Sequence, residues 1–131
     1  MGVGTSVKRL DAIQKVTGSA KYVEDLIPLD ALHMKVVHST IANGLVTAID
    51  TTEAERMPGV ELIITCFDVP DVEFVTAGHP LSLDPAHADT RDKLILAKRV
   101  LYYGDDVAAV IADTPLNAQL AAEKVKVGYE T

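Results

Sequence analysis

The chain has 131 residues, of which 48% are hydrophobic, 5% are aromatic and none is tryptophan, so it is long enough for one domain with an aliphatic core. Its net charge of −7 argues against binding to nucleic acid or to anionic membranes, because both require clustered Lys and Arg. The lack of a membrane-spanning apolar run and of a secretory signal, together with the lone Cys66, predicts a soluble, cytoplasmic domain.

The N-terminal third of the chain begins with little hydrophobic periodicity. We expect an extended arm over residues 1–30, where glycines and a proline favour turns over regular elements. Residues 32–36 then alternate between apolar and polar side chains, which is the pattern of a half-buried strand. Asn43-Gly44 predicts a tight hairpin, because both residue types tolerate a positive φ angle. Residues 45–50 are therefore predicted to return as the second strand of that hairpin.

A short helix is predicted after the second strand. Thr52 and Glu55 have the spacing of a capping box, in which each side chain bonds a free backbone N–H. Pro58-Gly59 ends this helix, since proline cannot continue the helical hydrogen bonds and glycine accepts the turn. Residues 60–66 are mostly apolar and predict a mostly buried strand.

The segment 68–93 contains no face on which a core could form, and its prolines lie among Asp, His and Gly. A loop of this length inside a compact domain is uncommon, and such loops are usually functional or bound by a partner. We therefore predict that residues 68–93 are a long docking loop.

The last third of the chain returns to regular patterns. Ordered apolar patterning returns at 94–96 and 100–103, followed by a turn and a continuous apolar strand at 107–112. Thr114-Pro115 predicts the start of a helix, with threonine as the N-cap and proline at the first helical position, before a final strand at 125–129. About five strands and two short helices, without strict strand–helix alternation, favour an α+β fold with a mixed or antiparallel sheet.

Four residues of the long loop are a candidate metal site. Imidazole and carboxylate are a usable set of zinc ligands, and the four residues that could supply them are His79, Asp84, His87 and Asp89. Their spacing matches no established metal motif, and an open loop lacks the surrounding groups that orient ligands. A polar loop, solvated or docked on another domain, is the favoured interpretation, and a small metal-dependent enzyme using His79 and His87 is the lesser alternative.

The remaining candidates have structural interpretations. Cys66 has no basic neighbour in sequence that would activate a thiolate, so a buried small side chain is predicted. His33 and His38 are separated by an odd number of residues and are expected on opposite faces of their strand. We predict no catalytic, cofactor-binding or metal-binding residue in this chain.

Several segments of the chain resemble, in their order, the start of the large subunit of the xanthine dehydrogenase and aldehyde oxidase family of molybdenum hydroxylases. These segments are 4–12, Val16-Thr17-Gly18-Ser19-Ala20-Lys21-Tyr22 with Glu24-Asp25, Ile49-Asp50, Pro58-Gly59-Val60, Asp68-Val69-Pro70, Tyr102-Tyr103-Gly104-Asp105-Asp106-Val107-Ala108-Ala109-Val110 and Val127-Gly128-Tyr129-Glu130. The loop at 76–85 is similar to that of bacterial xanthine or purine dehydrogenases. One departure is at 38–43, where the family commonly shows Arg-Ser-Pro-His-Ala-His and this chain has His-Ser-Thr-Ile-Ala-Asn.

The resemblance implies that residues 1–131 are an α/β-hammerhead domain and a fragment of a larger subunit. The complete enzyme would hydroxylate an electron-poor carbon at a molybdopterin-bound molybdenum centre and pass electrons through [2Fe-2S] clusters to FAD. Its implied partners are the downstream molybdopterin-binding domains of the same subunit and the iron–sulfur and FAD domains or subunits. No position here matches the family's later cofactor-binding segments or its glutamate, so no residue role is carried over. The alternative is a free-standing module that binds a small ligand or another protein.

Overall fold

A computed structural model of the protein describes residues 3–4, 6–75, 84, 86 and 90–131. The chain divides into two compact units, Met1–Ala31 and Leu32–Thr131. None of the helices in these described ranges is long and apolar enough to cross a membrane. The elements in chain order are α1 (Ala12–Val16), a 3₁₀ turn (Glu24–Leu26), β1 (His33–His38), β2 (Gly44–Asp50), α2 (Thr52–Glu55), β3 (Val60–Thr65), β4 (Arg99–Val100), β5 (Asp106–Ala112), α3 (Pro115–Ala122) and β6 (Lys126–Glu130).

The unit Met1–Ala31 is not simply extended, as the sequence had suggested for residues 1–30. It contains α1, which is stabilised by local polar contacts: Lys15 Nζ lies 2.8 Å from the Asp11 carboxylate, and the Thr17 hydroxyl donates to the Ile13 carbonyl at 2.7 Å. No residue of α1 is buried. The helix therefore depends on its own hydrogen bonds and ion pairs, which hydrophobic periodicity does not register.

The unit Leu32–Thr131 contains two three-stranded sheets, ordered β1-β5-β3 and β4-β2-β6. Every strand pair among the described residues is antiparallel, so the α+β class is confirmed with antiparallel rather than mixed sheets. The central strand of the first sheet is β5, and its continuous apolar run matches this position because Val107 and Val110 are fully buried.

The predicted hairpin at Asn43-Gly44 is wrong, because β1 and β2 lie in different sheets. β1 pairs with β5, whereas β2 pairs with β4 and β6, so the segment between them crosses from one sheet to the other. Neither Asn43 nor Gly44 has a positive φ angle. A Cβ at Gly44 would lie 2.6 Å from the Glu130 carbonyl oxygen and 2.7 Å from Ile41 Cδ1. Glycine is thus required for close approach to β6 and not for a turn.

Helices α2 and α3 are the two short helices that the sequence predicted, and α1 is additional. The capping box at α2 does not form, because the Asp50 carboxylate accepts the Thr52 N–H at 3.0 Å and the Thr51 hydroxyl donates to Glu55 at 2.5 Å. At α3 the prediction is confirmed. Thr114 is the N-cap, its hydroxyl accepts the Asn117 N–H at 3.1 Å, and proline follows it.

The segment 94–103 contributes one short strand, β4. Besides the pairing of β4 with β2, residues of this segment bond to both sheets: the Ala97 N–H donates to the Asp106 carbonyl at 2.6 Å, and the Val46 N–H donates to the Lys98 carbonyl at 2.8 Å. Leu96 and Val100 are buried in the core that the two sheets share with α2 and α3. This segment therefore links the two sheets.

Candidate functional site

Backbone hydrogen bonds fix the turn that joins β4 to β5, both within the turn and to Ser39. Gly104 has a φ angle of +92°, a conformation that favours glycine, and it allows the Asp105 N–H to donate to the Tyr102 carbonyl at 3.2 Å. The Gly104 N–H donates to the Ser39 carbonyl at 3.0 Å, and the Ser39 N–H donates to the Asp105 carbonyl at 2.7 Å. The turn is thereby tied to the segment that follows β1.

The Asp105 side chain points into the protein and is only 2% exposed as a residue. Its carboxylate accepts the Leu101 N–H at 3.2 Å and the Asp106 N–H at 3.1 Å. It also forms an ion pair with Lys93. A buried carboxylate is costly unless it is paired and hydrogen-bonded, and Asp105 meets both conditions.

Lys93 connects three features of the site. Its ammonium group contacts Asp105, donates to the Tyr102 hydroxyl at 2.7 Å and lies 4.9 Å from the centre of the Tyr102 ring. Burial opposes the charge of Lys93, but the hydrogen bonds to Asp105 and Tyr102 outweigh it and raise the pKa of Lys93 above its ordinary value. The ammonium group is therefore charged at neutral pH and is fully engaged by its neighbours.

The same lysine closes the base of the long loop through its backbone. Phe74 and Lys93 form an antiparallel bridge, in which the Phe74 N–H donates at 2.9 Å and the Lys93 N–H donates at 3.4 Å. Asp71 forms an ion pair with Lys98 at 2.9 Å. The two ends of the loop at 68–93 are thus joined to each other, and one side chain of this base is anchored in the turn before β5.

A cleft of ≈ 490 Å³ lies beside the Lys93–Asp105 pair and is bordered by groups of both signs, including Glu73, Asp92 and Arg99. Across the described residues, His, Cys, Asp and Glu form no group of three that could hold a metal ion. Lys93, the cation of that pair, is already neutralised by Asp105. These residues do not fit a resident molybdenum–pterin cofactor, and none of them is assigned a step in the chemistry of such a group.

The candidate metal set falls largely outside the described residues. His79, His87 and Asp89 lie there, and Asp84 is described. The Asp84 carboxylate accepts the Ala86 N–H at 2.9 Å. The described part of the chain gathers no metal-binding group of three ligands around Asp84.

Cys66 and the two histidines of β1 occupy structural positions. Cys66 is completely buried, and this burial raises the pKa of its thiol, as expected for a small core side chain. His38 Nδ1 lies 2.9 Å from the Asp106 carboxylate, and His33 is half-buried at the start of the strand. His38 therefore pairs with an acid of β5, and the structure does not bring it together with His33.

Sequence reasoning missed the ion pair between Lys93 and Asp105. The pair joins residues twelve positions apart that belong to no common periodic element, so no local pattern indicates it. The one available signal is that Asp105 lies in the segment 102–110, which carried part of the family resemblance. An acidic residue just before a largely apolar, buried strand is a candidate for a buried, paired carboxylate.

Comparisons with known proteins agree with this architecture. The family model of the a/b hammerhead domain of aldehyde oxidase and xanthine dehydrogenase matches residues 17–131. The xanthine dehydrogenase molybdenum-binding subunit of Escherichia coli O157:H7 is 43% identical over 122 residues, which are 93% of this chain and 16% of that protein. The aldehyde oxidoreductase of Megalodesulfovibrio gigas is 38% identical over an alignment of 131 positions, which covers 97% of this chain and 14% of that protein.

A solved structure supports the same conclusion. The aldehyde oxidoreductase of Desulfovibrio desulfuricans matches with a TM-score of 0.74 at 37% identity, and the match covers 98% of this chain and 14% of that one. The chain therefore spans 14–16% of the length of these relatives. None of these comparisons supports a free-standing binding module. The matched family model and the shared fold show that the chain belongs to the aldehyde oxidase and xanthine dehydrogenase family, as its α/β-hammerhead domain.

Proposed function

We propose that residues 1–131 are the structural hammerhead domain in the large subunit of a molybdenum hydroxylase of the xanthine or purine dehydrogenase type. The domain itself takes no part in the chemistry. The observation that carries this proposal is its match to the molybdenum-binding subunit of a bacterial xanthine dehydrogenase, of which the chain spans 16%. The complete protein is proposed to act in the cytoplasm.

The proposed partners are the domains that bind the cofactors. A molybdopterin–molybdenum centre would be held by downstream domains of the same subunit, and [2Fe-2S] clusters and FAD by other domains or subunits. When bound, the molybdenum centre supplies the hydroxylation of an electron-poor carbon. The arm at 1–30 and the loop at 68–93 are proposed to contact these domains, because loops of this length in compact domains usually serve a partner.

The site before β5 suggests how the domain serves as a rigid support. Lys93 fixes the base of the loop to the turn at Gly104-Asp105, and the carboxylate of Asp105 accepts backbone bonds from both sides. Among the described residues, no buried side-chain nitrogen or oxygen lacks a hydrogen-bond partner. A fully satisfied buried polar network disfavours alternative arrangements, because each would leave a charge unpaired. The loop is thus presented from a base of fixed geometry.

A structural role predicts a particular pattern of kinetic defects. In the complete enzyme, Asp105→Asn is expected to reduce the fraction of subunits that contain molybdenum. The substitution removes the charge that pairs with Lys93 and so weakens the attachment of the base of the loop to the turn before β5. The turnover rate per bound molybdenum should remain within about twofold of the unmodified enzyme, since no residue of this domain touches the reacting atoms. His38→Asn, which alters an exposed pair on β1, is the matched control and should change neither quantity. Full molybdenum content with a tenfold lower rate per molybdenum in Asp105→Asn would show a catalytic role and contradict the proposal.

A further inference from the structure

The dipeptide Asn43-Gly44 does not form a hairpin turn, but it has a reactivity of its own. When glycine follows asparagine, its backbone nitrogen can attack the side-chain amide, because no Cβ obstructs the approach. A bond forms between the Gly44 nitrogen and Asn43 Cγ, the Cγ–Nδ2 bond breaks, and the amide nitrogen takes the Gly44 proton and leaves as ammonia. Water then opens the five-membered imide at either carbonyl, which leaves aspartate or isoaspartate at position 43.

The two reacting groups differ in their surroundings. Asn43 is exposed, whereas Gly44 is buried at the start of β2. The Val46 N–H donates to the Lys98 carbonyl at 2.8 Å. Bonded residues alternate along an antiparallel pair, so Gly44 and Val100 are the next bonded pair of β2 and β4. The Gly44 nitrogen is therefore held against β4 and turned away from the amide that it would attack.

The segment before Gly44 is also held in place. The Thr40 N–H donates to the Tyr129 hydroxyl at 3.3 Å, and the Ser39 hydroxyl donates to the Ile41 carbonyl at 2.9 Å. Ring closure requires the nitrogen and Cγ to approach to about 3–3.5 Å with the nitrogen free of other bonds. The reaction therefore proceeds from a locally opened form, and its rate follows the population of that form.

The isoaspartate product changes the backbone itself. Its main chain runs through the former side-chain carbons, which adds one carbon between Cα of residue 43 and the nitrogen of Gly44. A Cβ at Gly44 would lie 2.6 Å from the Glu130 carbonyl oxygen, so the backbone has little room to shift beside β6. We propose that Asn43 is a self-modification site gated by the opening of β2 from β4, and that conversion to isoaspartate prevents β2 from pairing fully again.

Ageing of the complete subunit, under native conditions and in urea, tests the gate. Peptide mass spectrometry measures the conversion of each asparagine separately. Asn117 is the internal control, because alanine follows it and its amide donates to the Asp113 carboxylate at 2.8 Å. We expect Asn43 to convert faster than Asn117 in urea, and to convert at least tenfold more slowly in the native protein than in urea.

A pair of tyrosine variants tests whether the gate lies in this segment. Tyr129→Phe removes the acceptor of the Thr40 N–H and should raise the native rate of Asn43 conversion about two- to tenfold. Tyr103→Phe is the matched control, since that side chain is 72% exposed and lies in the turn before β5, and it should leave the rate unchanged.

The aged sample also tests the consequence for β2. Aspartate and isoaspartate at position 43 carry the same charge, and only isoaspartate adds a backbone carbon. After removal of most of the urea, a brief protease pulse should deplete molecules with isoaspartate at least twofold relative to those with aspartate.

Four results would overturn the proposal. Absence of Asn43 conversion in urea would remove the site, and equal rates in the native and the urea samples would remove the gate. An unchanged native rate in Tyr129→Phe would place the opening elsewhere in the protein. Equal survival of the two products would show that β2 accommodates the added carbon. None of the four measurements depends on molybdenum content or turnover, so their failure is distinct from failure of the proposed function.

Discussion

Lys93→Met removes the cation from the Lys93–Asp105 pair and keeps most of the side-chain volume. The Asp105 side chain is 3% exposed and that of Lys93 is 19% exposed, so the remaining carboxylate cannot reach water without opening the turn. Breaking a buried pair by removing one partner costs about 3–5 kcal/mol. Two backbone N–H groups still bind the carboxylate of Asp105, which places the expected loss of unfolding free energy near the lower end, at about 3 kcal/mol.

Lys98→Met is the matched control, because Lys98 pairs with Asp71 at 2.9 Å near the protein surface. The side chains of that pair are 35% and 59% exposed, and exposed pairs contribute about 0–1 kcal/mol. Urea unfolding followed by circular dichroism compares the two variants. With a slope of about 1–3 kcal/mol per molar urea, the midpoints should differ by about 0.7–3 M. A loss in Lys93→Met no larger than that in Lys98→Met would refute the role assigned to the pair.

The same pair predicts a difference at alkaline pH. Burial opposes the charge of Lys93, but Asp105 and Tyr102 outweigh it, so the pKa of Lys93 is raised in the folded protein. A raised pKa contributes stability that is complete below the unfolded value of about 10.4 and is lost as the pH rises through the folded value. The unfolding free energy of the unmodified protein should therefore fall more steeply above about pH 10.4 than that of Lys93→Met. Parallel curves would count against the ion pair.

Further predictions concern two glycines and one carboxylate. Gly59 has a φ angle of +79° and a Cβ there would overlap the Asp113 carboxylate, whereas Gly104 has a φ angle of +92° and nothing within 4 Å of a Cβ. The exposed Asp113 side chain can move aside at the cost of its hydrogen bond with Asn117, so Gly59→Ala should cost about 1.5–3.5 kcal/mol of unfolding free energy and Gly104→Ala about 1–2 kcal/mol by urea titration. Equal losses would show that this hydrogen bond contributes nothing to stability. The hydroxyl and the N–H of Thr65 lower the pKa of Asp68, so its contribution is present above the unfolded value of about 3.9 and is lost as the pH falls through the folded value. In thermal melts between pH 2 and 6, the melting temperature of Asp68→Asn should fall less steeply with decreasing pH than that of the unmodified protein. An unchanged slope would show that the Asp68 carboxylate does not contribute to acid stability.

The sequence predicted those helices and strands that depend on residues adjacent in the chain. Thr114-Pro115 begins α3 because a hydroxyl cap and a proline act within one turn of the helix. The apolar run at 107–112 is the centre of a sheet because a strand with two covered faces needs no alternation. These features depend on neighbours in sequence, so they could be predicted without the fold.

Long-range pairing could not be predicted in the same way. Asn43-Gly44 has the composition of a hairpin turn, but tertiary contacts override it, because β5 and β6 supply better partners for β1 and β2. The family resemblance indicated the hammerhead fold without indicating which strands pair. The Lys93–Asp105 pair was missed for a related reason, since tertiary structure and not a local pattern brings its two residues together.

The central claim is that this chain is a structural domain within a larger molybdenum-containing subunit. Purification of the native protein, with mass spectrometry of the intact polypeptide and elemental analysis of molybdenum, tests it most directly. Because the chain spans 14–16% of its relatives, the account predicts a polypeptide roughly six to seven times the 14.0 kDa of these 131 residues, with about one molybdenum per polypeptide. A native polypeptide of 14.0 kDa that contains no molybdenum would contradict the account.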